Sequence, residues 1–271
     1  MNKISLKNYD SNHANCVRYS IIISTFNRSS FLDQLLTSIF NQNSKLKFEV
    51  IIVEGGHFES FKNISSICSN FSARIKIYHL PNSSLGQSRN FGVENASGVW
   101  CLFADDDDLW SNQKIFLINE HINKYDVISH GYLSSTEPVD DDFQKPFYFG
   151  QPIYLAIYSL IKHCYGNRYG GGSSLCVRTD VVKVIKFNES MRSCEDIEWI
   201  LRCLFCGMRM GFIPAPLVTY RVHAHRMTGN ISKNIKWDIF LIKWLLVIGL
   251  GTLLGAVIKI FRTTVRFVAR R

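Results

Sequence analysis

An α/β domain on a mostly parallel sheet is what the sequence predicts, and three observations carry that expectation. Short apolar runs alternate with amphipathic stretches through residues 19–129, the pattern of sheet strands covered by helices. Polar clusters at 24–28, 54–57 and 105–108 each close one of the apolar runs. Ligands of such sheets bind outside the carboxyl ends of the strands, so the three clusters are expected in one crevice. The last of them is four consecutive aspartates, Asp105 to Asp108, after the run Val99-Trp-Cys-Leu-Phe-Ala104.

The elements follow in order. Residues 19–24 read as a strand. Residues 30–41 read as a helix, with Phe31, Leu35, Ile39, Leu36 and Phe40 on one side and a capping-box-like start at Ser30 and Asp33. Strands are expected at 48–53, 74–80 and 99–104, with a short one at 126–129. Helices are expected at 58–71, 87–96 and 112–124. Beyond Gly131 the pattern changes. Residues 134–150 form an acidic, proline-containing connector, 152–163 a helix, and 165–174 a glycine-rich loop suited equally to linking elements and to forming a mobile wall. A helix at 195–206 and a short strand at 217–222 complete the body.

Composition bounds the class. With 46% hydrophobic and 20% charged residues, 271 residues suit one large globular domain or one domain with an appendage. The expected division is a polar extension at 1–18, a domain at 19–232 with a binding half (19–131) and a second half (132–232), and a tail at 233–271. The polar N-terminal stretch reads as no signal peptide. Cysteines are scattered; Cys203 and Cys206 have a metal-type spacing but lie in an apolar helix without a second pair, as buried thiols do. From Lys233 onward lie eight basic residues and the single acid Asp238, so the tail carries +7 of the net +9. The body therefore has no nucleic-acid footprint.

Adjacent carboxylates repel one another. Four at a strand end ask for a divalent cation, and hard oxygen donors suit Mg²⁺ or Mn²⁺, which take one or two carboxylates and complete the shell with phosphates. A solvated acidic turn is the plainer alternative.

Five segments in order resemble the family 2 glycosyltransferases, inverting enzymes of the GT-A fold. Ser20-Ile-Ile-Ile-Ser-Thr-Phe-Asn-Arg28 is similar to the family's first strand and turn. Gly86-Gln-Ser-Arg-Asn-Phe-Gly92 with Ala96-Ser-Gly98 resembles the segment before its metal motif. Phe103-Ala-Asp-Asp-Asp-Asp-Leu-Trp110 resembles Asp-x-Asp-Asp-x-Trp, which puts Asp105 and Asp107 in the Asp-x-Asp positions. Cys194-Glu-Asp-Ile-Glu-Trp199 resembles the Glu-Asp motif, and Tyr220-Arg-Val-His223 the late histidine motif.

The resemblance implies transfer of a hexose or N-acetylhexosamine from a nucleotide sugar, UDP-linked most often, to a hydroxyl acceptor with inversion. It implies that Asp105, Asp107 and His223 hold Mn²⁺ or Mg²⁺, with His225 an alternative to His223. Ser24, Glu54, Arg89, Asp105 and Asp106 would contact the nucleotide sugar. Asp196 would be the general base, and Glu195 and Trp199 would lie on the acceptor side. Each has a plain counterpart: Ser24 as turn chemistry, Arg89 as a surface residue, His223 as structural, Trp199 as core. Asp196 could form a capping box with Ser193. One departure stands out. The family usually has two aspartates after the second strand, where the base is held; here the pair is Glu54-Gly55, which weakens the uracil assignment relative to dTDP- or GDP-sugars.

Two other classes compete with this reading. A nucleotide-sugar-binding module that has lost catalysis predicts a damaged Asp-x-Asp or Glu-Asp motif, and both are present. A nucleotidyltransferase would want a glycine-rich phosphate loop after the first strand, and residues 24–30 contain no glycine.

The tail suggests a place. The uncharged run at 244–258 would be about 22 Å long as a helix, short of the ~30 Å hydrocarbon core. Spanning would leave Arg262, Arg266, Arg270 and Arg271 outside, against the positive-inside rule. Lys259, Arg262, Arg266 and Arg270 share one helical face, with Phe261, Val265 and Val268 on another, as in a helix lying in an anionic interface. The expectation is a monotopic anchor at the cytoplasmic face of a bacterial inner membrane; a single span, lengthened through Phe240 by a snorkelling Lys243, and an oligomerisation or core-packing helix are the alternatives. By resemblance to enzymes of surface polysaccharide (O-antigen or capsule) assembly, the acceptor would be a glycan or a polyprenyl-diphosphate-linked glycan.

Overall fold

The computed structural model describes residues 18–71, 74–134 and 171–222. The connector expected at 134–150 (beyond Ser134), the helix at 152–163, residues 165–170 of the glycine-rich loop, His223, His225, the polar extension before Arg18 and the C-terminal tail lie outside them.

The first strand, β1 (Tyr19–Thr25), is buried along its whole length. It is central because Tyr19, Ile21 and Ile23 face one layer of the core and Ile22 the other, the period-2 alternation of a strand covered on both faces. β2 (Phe48–Glu54) and β4 (Trp100–Asp105) flank it in parallel, and β3 (Ile75–His79) extends the parallel half beyond β2. The crossovers are α1 (Leu32–Phe40), α2 (Phe58–Cys68) and α3 (Leu85–Glu94). α1 packs Leu32, Leu35, Leu36 and Ile39 against the sheet.

Past β4 the sheet becomes mixed. β5 (Leu109–Trp110) is followed by α4 (Lys114–Asn119) and β6 (Val127–Ser134). A 3-10 turn (Gly172–Ser174), β7 (Cys176–Arg178), α5 (Thr179–Val184), α6 (Glu195–Phe205) and β8 (Met210–Tyr220) complete the described chain. The sheet order is β3-β2-β1-β4-β7-β6-β8-β5. β7 runs antiparallel to both β4 and β6, β8 pairs parallel with β6, and β5 pairs antiparallel with β8.

Several expectations are corrected here. The Ser30–Asp33 capping box does not form: α1 starts after Phe31, without a side-chain cap. Phe31 is instead covered by the Arg221 guanidinium, 4.4 Å from its ring centroid. The capping box that does form is Ser84 with Gln87, at the start of α3. β8 is 11 residues long and includes Pro214 and Pro216, although the sequence suggested a strand only from 217. Cys203 is buried, Cys206 exposed, and both are free thiols.

Candidate active site

Register brings the three polar clusters together. β1 pairs Ser24 with Asp105 on one side, and Thr25 with Glu54 on the other. The chain then turns sharply at Asn27, which has φ 52°. Its backbone N–H donates to Glu54 Oε1 at 2.9 Å, and its Oδ1 accepts from the His57 N–H at 2.6 Å. Glu54 is wholly buried, and its Oε1 also accepts from the Gly56 N–H at 2.6 Å. The longer side chain, where the family has aspartate, therefore folds back onto its own loop. Glu54 Oε2 and the Ser24 hydroxyl remain buried without a partner.

The aspartate block lies at the mouth of β4. Arg28 reaches across to pair with Asp106, and through Nη1 with Asp107 Oδ2 at 2.8 Å. Asp105 keeps the most exposed carboxylate of the pairs, at 29%. Asp106 and Asp108 each leave one buried oxygen, Oδ2, without a partner. Burial, reinforced by neighbouring carboxylates, raises the proton affinity of Asp105, Asp106 (to about 6) and Asp108 (to about 8). Such a block resists full ionisation unless positive charge is added.

That is the chemistry a hard divalent cation satisfies, with one or two carboxylates and the rest of the shell from phosphate oxygens. The Asp105–Asp107 donor set fits such an ion. Among the described residues, no three His, Cys, Asp or Glu side chains are grouped to hold one by themselves.

The opposite wall is the first turn of α6. Cys194, immediately before it, has φ 61° and ψ 17°, and no side chain caps the helix. A left-handed non-glycine residue is a strained choice, and it turns Glu195 and Asp196 into the crevice wall. The Ser193–Asp196 capping box is absent; Asp196 Oδ1 accepts the Ile197 N–H at 2.8 Å. Burial first, then the charge of Glu195, pushes the Asp196 carboxyl up to about 6, against the pull of Arg89.

Arg89 joins the walls. It is buried, not the surface residue of the plainer reading. Nη1 donates to Glu195 at 2.6 Å and Nη2 to Asp105 at 3.2 Å. The guanidinium lies near the rings of Phe187 and Phe103, 5.4 and 6.0 Å from their centroids. Trp199 corrects the acceptor-side expectation: it is wholly buried, stacks on Phe187 at 5.1 Å and donates Nε1–H to the Ile185 carbonyl. Although only three residues after Asp196 on the same helix, Trp199 lies in the core rather than on the crevice wall.

Sequence reasoning missed a second layer beneath the aspartates. The end of the glycine-rich loop is the 3-10 turn, and its Ser173 Oγ accepts the Asp105 N–H at 2.6 Å. Lys114, wholly buried, donates Nζ–H to the Ser173 carbonyl at 2.8 Å and sits 3.6 Å above the Trp110 ring. Burial pulls its ammonium down to about 7. No local signal marks Lys114, since a lysine at a helix start reads as solvent-facing. Arg28 stood inside a motif but had no role until its partners were visible.

The fold and the crevice define a class: an α/β domain with an acid-lined cleft at the carboxyl ends of its parallel strands, the site where such folds take nucleotide ligands. The Glycosyl transferase family 2 model matches residues 20–171, and the chain belongs to that family. An uncharacterized glycosyltransferase of Haemophilus influenzae is 28% identical over 188 residues, covering 68% of this chain and 61% of that protein. The putative glycosyltransferase EpsH of Bacillus subtilis is 24% identical over 226 residues, covering 80% of this chain and 64% of EpsH. A crystal structure of S. aureus TarS 1–349 in complex with UDP-GlcNAc superposes with a TM-score of 0.65 at 21% identity, over 79% of this chain and 61% of that one. That likeness shows a shared GT-A-like α/β fold. The chain spans less than two thirds of each of these three proteins.

Proposed function

We propose that the chain is an inverting glycosyltransferase that moves a hexose or N-acetylhexosamine from a nucleotide sugar to a hydroxyl. The observation that carries this reading is the linkage of the Asp105 strand end to the Asp196-bearing turn through one buried arginine. Inversion by one in-line displacement needs a leaving-group site and a base held on opposite sides of the reacting carbon. Asp105 and Asp107 would hold Mn²⁺ or Mg²⁺, which supplies Lewis-acid stabilisation of the leaving diphosphate. Asp196 accepts the acceptor hydroxyl proton. Ser24 and Glu54 Oε2, buried and unpartnered, are the open polar groups on the nucleotide side. A UDP-sugar is the donor favoured, supported by the UDP-GlcNAc bound to the TarS structure.

The acceptor we propose is a glycan or polyprenyl-diphosphate-linked glycan of surface polysaccharide assembly, met at the cytoplasmic face of a bacterial inner membrane. The basic, apolar sequence of the tail supports it. No helix among the described residues is long and apolar enough to cross a membrane.

A nucleotide-release screen of UDP-, GDP- and dTDP-sugars, with and without Mn²⁺, tests the reading. Release is expected from UDP-sugars with metal and should vanish in EDTA. Undiminished activity in chelator would remove the metal assignment, and preference for GDP- or dTDP-sugars would remove the uridine one.

A further inference from the structure

Arg89 and Glu195 form a buried ion pair in the wall of the crevice. The Arg89 side chain is 3% exposed and that of Glu195 6%, with 2.6 Å between Nη1 and Oε1. The guanidinium spends its fork on two carboxylates and packs against two phenylalanine rings. Gly172 closes it further: a Cβ there would fall on Nη2 and lie 2.7 Å from Cζ.

A buried ion pair of this kind is a weak source of net stability, because desolvation offsets its attraction. Its value must therefore be sought in what it fixes. It connects three elements distant in sequence: α3, the end of β4, and the first turn of α6. That first turn is held from outside at Glu195. It follows a left-handed Cys194 and has no side-chain cap; Asp196 Oδ1 accepts the Ile197 N–H of its own turn, whereas the Glu195 carboxylate is fixed by Arg89 from α3. On the other side of the same turn, Gly171 lies so close that a Cβ would be 3.1 Å from Asp196 Oδ2.

We infer that Arg89 and Glu195 form a positioning pair, which acts through Asp105 and Asp196 rather than on the donor and sets the base relative to the leaving-group site. This deepens the transferase reading and rests on it. Arginine suits the task because its planar fork fixes two carboxylates at a defined separation; lysine provides one point charge. Neither residue is a catalytic residue in this account.

The test is a double-mutant cycle on the full chain. Glu195→Gln keeps shape and removes the charge; Arg89→Lys keeps charge and removes the fork. Donor affinity is measured by titration calorimetry with the nucleotide sugar, and kcat and donor KM by nucleotide release with acceptor present. Misplacing a base by about 1 Å costs on the order of 100-fold, so each variant should lose roughly 10- to 100-fold in kcat. In Glu195→Gln, which leaves the Arg89–Asp105 contact in place, donor KM and affinity should stay within about twofold, the mark of an interaction used only at the transition state. The double variant should be no worse than the weaker single, because both break one pair.

The inference is overturned if Arg89→Lys weakens donor binding while Glu195→Gln behaves as wild type, since Arg89 is then a donor contact. It is equally overturned by additive losses, or by full turnover in Glu195→Gln. Melting curves identify any variant that fails to fold, and in that event Glu195→Gln alone decides by its kcat-against-KM split. A wild-type chain that neither binds nor cleaves any nucleotide sugar removes the transferase reading itself, which the same titration reveals before any variant is made.

Discussion

The general base we propose, Asp196, has a raised carboxyl pKa. Burial and the adjacent Glu195 push its carboxyl up to about 6, while Arg89 restrains the rise. The base works only when ionised, and protonation grows as pH falls through that value. We predict that kcat/KM, which reports the free enzyme, falls about tenfold per pH unit below about 6. A flat profile down to pH 5 would remove Asp196 from the base role. Stability has the opposite sign. The folded state holds its proton more tightly than the unfolded chain does, so this group's contribution weakens as pH rises from the ordinary aspartate range to about 6. Much of the residue-level site is legible in the sequence. The Asp block and the Glu-Asp pair stand in recognisable strings, and a strand end is where parallel sheets gather ligands. What is not legible is which way a side chain faces around a short helix: Trp199 and Asp196 lie one turn apart, yet one is core and the other lines the crevice.

At the scale of elements, the most consequential is the 3-10 turn at Gly172–Ser174. Composition marked its surroundings as a glycine-rich loop, without fixing whether it links or lines. The described end lines: Ser173 receives the Asp105 N–H and Lys114 holds its carbonyl. Gly172 is required there for close approach, because the Arg89 guanidinium it meets is already fixed by two carboxylates. Gly172→Ala should therefore cost about 1–3 kcal/mol, the range for overpacking a filled site, and lower turnover as well. Thermal melting beside a rate assay checks both, and an unchanged melting temperature would show that the turn yields freely. The long elements α1, α2, β1, β2 and β4 follow from periodicity alone. β5 and β7, of two and three residues, do not, because pairing with distant strands defines them. β8 hides behind Pro214 and Pro216, which argue against a strand. The β6–β8 ladder accommodates them with register shifts at His130/Gly131 and Gly131/Tyr132.

For the whole molecule, the division of the sheet explains the division of labour. The parallel half, β3-β2-β1-β4, aligns three strand ends and gathers their polar turns, while β7, running antiparallel to β4, carries the chain back from the turn that Arg89 and Asp196 abut. The alternation of elements foretells the first half; in the second the helix at Glu195–Phe205 is legible and the end of β8 in part, while β7 and the 3-10 turn are not, because stretches this short carry no periodicity. Charge is a property of the complete chain: the body is nearly balanced and residues 233–271 carry +7. We predict that deleting them releases the protein from membranes and weakens transfer to a lipid-linked acceptor more than to a short soluble analogue. Sedimentation of the truncated protein with vesicles would refute the anchor. The central claim, that Asp196 is the base of a sugar transfer, is tested most directly by Asp196→Asn, which keeps the size and a hydrogen-bonding oxygen but accepts no proton. Sugar transfer by this variant, measured beside wild type at saturating donor, should fall on the order of 10²–10⁴-fold with donor affinity nearly intact. Transfer at a rate near wild type would contradict it.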